Sequence, residues 1–238
     1  MLDLTFPEVL LVAVIAFLPL QPFVLLFSVT YFVIKSAIKN KKSIPNIVSS
    51  YQTIFSKVRK LLRAENRSLH IIFSPFDLIF ESLNANAGVY KTIMVSASWI
   101  ERLSTGNPKW ELAFYHTIGH ELGHKSDEPK GSYSRSKSAT FLNWVRECRA
   151  DYYGVLFVLR HGLAFDREDV LDVISMKAKY NTRKKEHSDS SHPNWSFRCA
   201  LLASYPSFDE SAIRCIACAC GIEDESEIKA MVSSAKLQ

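Results

Sequence analysis

The stretch NPKWELAFYHTIGHELGHK, residues 107–125, decides how the rest of the chain is read. Asn107 is a good helix cap, and Pro108 suits the first helical position, so a helix is predicted from there to about Lys125. Within it stands His120-Glu121-Leu122-Gly123-His124. Positions i and i+4 share one helical face, so both imidazoles can reach one ion, while Glu121 lies beside the first without having to ligate it. Gly119 and Gly123 cost about 1 kcal/mol each in helix stability relative to alanine. Their presence is understandable where another backbone or a substrate must come close.

A metal held for chemistry takes a third protein ligand and keeps one position open. The next long helix, predicted over about 139–160, offers Glu147 as that ligand. Asp151, at i+4 on the same face, is placed to accept the Nδ1–H of a ligating histidine and fix its ring. Trp144, Cys148 and Tyr152 surround the two acids on the side expected to be buried. The plainer alternative is a solvated face with Arg146 and Arg149 as local partners. His116, one turn before His120, is a rival ligand, but three ligands from one helix splay poorly around its axis. With zinc as the ion, one per chain, Glu121 becomes a general base toward a water that the metal acidifies.

Working outward, Val9–Ile34 holds no charged residue and no histidine. As a helix it would reach about 39 Å, more than the hydrocarbon thickness of a bilayer. A cleaved secretory signal would carry positive charge before the run, whereas Asp3 and Glu8 precede it and Lys35, Lys39, Lys41 and Lys42 follow. A retained anchor is expected, with lipid contacts through residues 9–34 and the rest of the chain on the cytoplasmic side. Pro19 and Pro22 leave a kinked single span or a tight hairpin; a buried pair of core helices is the soluble alternative. All 29 basic residues lie beyond Ile34, with 22 of the 24 acidic ones. That excess suits an anionic membrane surface, and no nucleic-acid-binding signature accompanies it.

At 238 residues the chain has room for one domain and an appendage: an anchor over 1–40 and a domain over 41–238. Residues 47–65 are predicted as an amphipathic helix whose apolar stripe faces a core or, less simply, lipid. Residues 69–73 and 89–97 are expected to be strands, with turn chemistry at Asn84, Asn86 and Gly88. Loops are expected over 126–138 and 177–191. Helices follow Asp166 and occupy about 194–204, 208–220 and 224–236. The fold class is therefore α+β, mainly helical with a small sheet. Cys148, Cys199, Cys215, Cys218 and Cys220 form an odd set, which fits reduced thiols. Cys215, Cys218 and Cys220 read as small buried side chains or as a metal knuckle without a second cluster.

Four segments in order carry a resemblance: Asn84-Ala85-Asn86-Ala87 before a strand, His-Glu-Leu-Gly-His, Glu147-Cys-Arg-Ala-Asp151, and His192-Pro193 with Arg198 after it. Over about residues 80–200 the chain resembles the HtpX and CAAX-prenyl-protease family of membrane zinc metallopeptidases, which are gluzincins. The resemblance implies a zincin-like metallopeptidase domain with Glu147 completing the zinc site. It implies that His192 and Arg198 lie near that site, with His192 steadying the oxyanion. It also implies that the strand Thr92–Ser98, through Val95, Ser96 and Ala97, holds an extended substrate by edge pairing. The interval between His124 and Glu147 is short and polar here. A compact peptidase on one anchor is therefore expected rather than an intramembrane chamber.

The expected activity is zinc-dependent endoproteolysis of membrane-associated or unfolded polypeptides. Two alternatives stand beside it. One is a non-proteolytic membrane adaptor braced by zinc, for which His116 or His192 would close the coordination shell. The other is a metalloamidase acting on a non-peptide substrate.

Overall fold

The structure is a computed structural model, and it describes residues 21–65, 70–74, 83, 85–88, 92–124, 136–182 and 188–236. It is mainly helical, with two strands paired in parallel, and divides into two compact units. The first comprises residues up to 84 together with 90–107; the second comprises 85–89 and 108–238. The expected partition at residue 40 rested on membrane location, whereas these units rest on packing.

In the first unit, helices α1 (Gln21–Asn40) and α2 (Ile44–Ala64) precede strand β1 (His70–Ser74). Strand β2 (Ala85–Gly88) groups with the second unit; β3 (Thr92–Ser96) and the short helix α3 (Trp99–Leu103) return to the first. β1 and β3 run parallel, from His70 opposite Thr92 to Ser74 opposite Ser96. The stripe expected on α2 faces inward, burying Ile47, Ile54, Phe55, Val58 and Leu62. Phe32 and Val33 of α1 join Ile47, Ala97 and Ile100 in one cluster, beside edge-on contacts among Tyr51, Phe55 and Phe73. Such aromatic pairs contribute about 0.5–1.5 kcal/mol beyond their buried area.

α1 is long and apolar enough to cross a membrane. One face carries exposed Phe23, Leu26, Phe27, Ile34 and Ile38. Its C-terminal half is tied to α3: Lys39 Nζ lies 2.5 Å and Lys35 Nζ 3.6 Å from the buried carboxylate of Glu101. Asn40 adds a hydrogen bond to Ser104 Oγ at 2.9 Å, and Lys42 donates to the Ser104 carbonyl at 2.7 Å. Pro22 sits in the first helical turn, where its missing N–H breaks no helical bond. The choice between kinked span and hairpin falls on Pro19, outside the described residues.

The second unit is built on α4 (Pro108–Gly123) and α5 (Lys137–Arg160). A Cβ on Gly119 would come within 2.9 Å of Phe157, and one on Gly123 within 2.8 Å of the Ala150 Cα. The close approach anticipated for these glycines is thus to the backbone and side chains of α5. The remaining helices are α6 (Arg167–Thr182), α7 (Trp195–Ser204), α8 (Glu210–Ala219) and α9 (Glu225–Lys236). Caps fix their starts: Asp166 Oδ1 accepts from the Asp169 N–H at 2.9 Å, Asn194 Oδ1 from Phe197 at 2.8 Å, and Asp209 Oδ1 from Ser211 at 2.9 Å.

Several expectations change. Residues 177–182 continue α6 rather than opening a loop, because Val170, Val173, Ile174 and Ala178 keep one buried stripe. Residues 85–88 form a strand where turn chemistry was expected. Of the strand expected over 89–97, residues 92–96 are strand and residue 97 lies in a turn, with 89–91 outside the described residues. α3 was not anticipated, being only five residues long. Of the loop expected over 126–138, residues 126–135 lie outside the described part; α5 begins at Lys137, its Ser136 cap accepting from the Ala139 N–H at 3.2 Å.

Candidate metal centre

His120 and His124 project from the end of α4, and Glu147 from α5, where the glycine-lined approach brings the two helices together. The two Nε2 atoms are 3.2 Å apart. Glu147 places Oε2 3.5 Å from Nε2 of His120, and Oε1 3.6 Å from Nε2 of His124. One donor atom from each residue lies within 4.8 Å of the others, so the cluster can hold a metal ion. Two imidazole nitrogens and one carboxylate are a donor set that zinc accepts with a position to spare.

The surroundings orient this set. Asp151, 1% exposed, places Oδ1 2.9 Å from Nδ1 of His120. With an Nδ1–H donated to that carboxylate, Nε2 is the ring nitrogen left to meet a metal in the cluster. Arg198 donates from Nε to Asp151 Oδ2 at 2.7 Å and from Nη2 to Oδ1 at 2.6 Å, a two-pronged grip. Its Nη1 is 3.8 Å from Glu147.

Charge follows geometry. Burial alone would raise the carboxyl of Asp151, yet Arg198 and His120 hold it well below the usual carboxylate range. Burial likewise opposes ionisation of Glu147, but His120 and Arg198 push it down to about 2. His120 is pushed up to about 9: burial works against its positive form, and Asp151 with Glu147 outweighs it. The space between these carboxylates therefore favours positive charge, which is the environment a cation needs.

Glu121 is buried on α4 and interacts electrostatically with Lys177. His192 reaches the cluster from the segment before α7, its Nε2 3.5 Å from Glu147 Oε1, and is otherwise exposed. That segment is pinned to α5, since Asn143 donates to the Ser190 carbonyl at 2.8 Å and Trp144 to the Asp189 carbonyl at 2.8 Å. Asp189 Oδ1 in turn accepts from the Ser191 and His192 N–H groups at 2.7 and 2.8 Å.

The structure thus brings together His120, His124, Glu147, Asp151, His192 and Arg198. His116 does not join the ligands; burial pushes it down to about 3, and its Nε2 lies 3.3 Å from the Asp151 carbonyl. No cysteine belongs to the ligand cluster found among the described residues. Val95, Ser96 and Ala97 belong to the first unit, where all three are buried.

Three participants were not anticipated: Asn143, Lys177 and Trp195. Lys177, pushed down to about 8 by burial, donates to Thr117 Oγ1 at 2.9 Å, one turn before Glu121. Trp195 packs against both Lys177 and Arg198. The spacing Trp195-x-x-Arg198 at a helix start is the only sequence signal that could have found it. Comparison of the chain with models of known families, with curated proteins and with solved structures finds no match.

Proposed function

We propose that the chain is a membrane-anchored zinc endopeptidase of zincin-like architecture, with the charge-free run into the N-terminal half of α1 in the bilayer and residues 35–238 on the Lys-rich, cytoplasmic side. The observation that carries this reading is the convergence of His120, His124 and Glu147 from two helices, with Glu121 next in sequence to the first ligand. When bound there, zinc supplies Lewis acidity toward the scissile carbonyl and the attacking water. Glu121 takes a proton from that water as its oxygen bonds to the carbonyl carbon, and delivers it to the amide nitrogen as the C–N bond breaks. His192 is placed to donate a hydrogen bond to the carbonyl oxygen as that atom gains charge. Asp151 and Arg198 keep His120 in one orientation throughout.

Replacing Glu121 by Gln removes the proton carrier and leaves all three ligands in place. The expected result is full zinc content with cleavage of an unfolded polypeptide such as casein reduced at least about 100-fold. A zinc-loaded Glu121→Gln protein that cleaves casein at the wild-type rate overturns the mechanism. A second reading, a zinc-braced adaptor without peptidase activity, draws on the nearness of His192 to Glu147. In that case wild-type protein holds zinc, cleaves nothing, and loses zinc on His192→Ala.

A further inference from the structure

We propose that Trp195 is a positioning residue of the metal centre: its indole fixes the plane of the Arg198 guanidinium, which fixes Asp151, which sets the ring of His120. The inference rests on the metal-site reading above but not on the reaction carried out there.

Arg198 is in an awkward place for a buried cation. It lies in the first turn of α7, where the helix dipole favours negative charge, and it is 7% exposed. Asp151 binds two of its nitrogens along one edge. A bond pair at one edge locates a planar fork but leaves it free to swing about that edge. A ring packed against the fork restricts that swing, and the Trp195 indole lies there, with the guanidinium carbon over it at 4.3 Å from the ring centroid. Trp195 and Arg198 are three apart on one helix, so they share a face, and the Asn194 cap sets the turn that carries both.

The indole is engaged from a second side of the fold. Lys177 of α6 places Nζ 5.0 Å from the same ring centroid while donating to Thr117 of α4. Two cations against one indole, from different helices, hold the ring electrostatically. The sequence Lys177, Trp195, Arg198, Asp151, His120 therefore passes from α6 through α7 and α5 to a ligand on α4. Trp195 touches none of the three ligands in this chain of contacts; its effect on the metal is exerted through Arg198.

The test uses the full-length protein, with zinc affinity measured by competition against a chromophoric chelator and the visible absorption of the cobalt(II) form as a report on ligand geometry. Trp195→Leu is expected to weaken zinc binding about tenfold, the lower end of the range for groups beyond the ligands, and to shift the cobalt band. Trp195→Phe keeps a weaker aromatic face and is expected to lose about threefold. In an Arg198→Lys background the planar fork is gone, so adding Trp195→Leu is expected to cost nothing further.

A folded Trp195→Leu protein with wild-type affinity and an unchanged cobalt spectrum overturns the inference and leaves the metal centre standing. So does a full tenfold loss on top of Arg198→Lys, because Trp195 would then act independently of Arg198. Should Trp195→Leu not fold, Trp195→Phe decides: an intermediate loss supports the inference, and a wild-type value overturns it. A wild-type chain that takes up no metal overturns both this inference and the reading beneath it.

Discussion

Asp151 occupies the junction of the candidate centre, joined to His120 on one side and Arg198 on the other. Asp151→Asn keeps the shape and an oxygen acceptor but removes the charge that Arg198 pairs with. Breaking a buried ion pair from one side costs about 3–5 kcal/mol, and losing a carboxylate behind a ligating histidine costs about 10–100-fold in metal affinity. The expected Asp151→Asn protein unfolds at a lower temperature and releases zinc to a chelator more readily. Chelator titration beside a melting curve checks both. At this scale the cluster that could hold a metal was legible because its logic is local: His120 with His124, and Glu147 with Asp151, each repeat at i, i+4. Arg198 was reached only through resemblance. Asn143 was not legible, because its partner Ser190 is far away in sequence. Trp195 stands only three residues before Arg198, but an aromatic at that spacing reads equally as core. Lys177 was hidden by its charge, which broke the apolar stripe of α6 and made a helix read as a loop.

Helix contacts set the distances on which these residues depend. Gly123 approaches the backbone of α5 at Ala150, a neighbour that cannot rotate aside as a side chain tip can. Gly123→Ala gains about 1 kcal/mol of helix propensity. Against that stands a contact that forces α5 outward, and overpacking of this kind costs about 1–3 kcal/mol. Since α5 also carries Glu147, zinc affinity is expected to fall along with thermal stability. Melting curves recorded with and without added zinc test this; equal stability and equal zinc affinity to wild type would show that the helix spacing is not critical. Helix positions were read well from caps and periodicity, as the starts of α6, α7 and α8 show. β2 was not: Ala85, Asn86, Ala87 and Gly88 have weak strand propensity, so their extended form depends on surroundings the sequence does not display.

For the molecule as a whole, the charge-free run announced a helix long and apolar enough to cross a membrane, but nothing local announced that its far half packs into a folded unit. Glu101 is central to that packing. Burial alone would raise its carboxyl, yet the hydrogen bond and charge of Lys39, with Lys35, hold it below its ordinary 4.5. A lowered folded-state value means that this contribution is complete above the unfolded value and fades as pH falls through the folded one. Wild type is therefore expected to lose stability more steeply than Glu101→Gln once pH drops below about 4.5. Paired thermal melts across that range check the sign; parallel curves would show that Glu101 carries no such linkage.

Phe32 and Val33 stand in the first unit's core while Lys35 and Lys39 grip Glu101 beyond them. α1 therefore cannot slip along its own axis or spin beneath the folded part without unpicking that core. Were it to span a bilayer, as proposed, it would act as a shaft keyed to its load rather than as a cord with slack. A thinner or thicker lipid phase would be met by tilting shaft and load together.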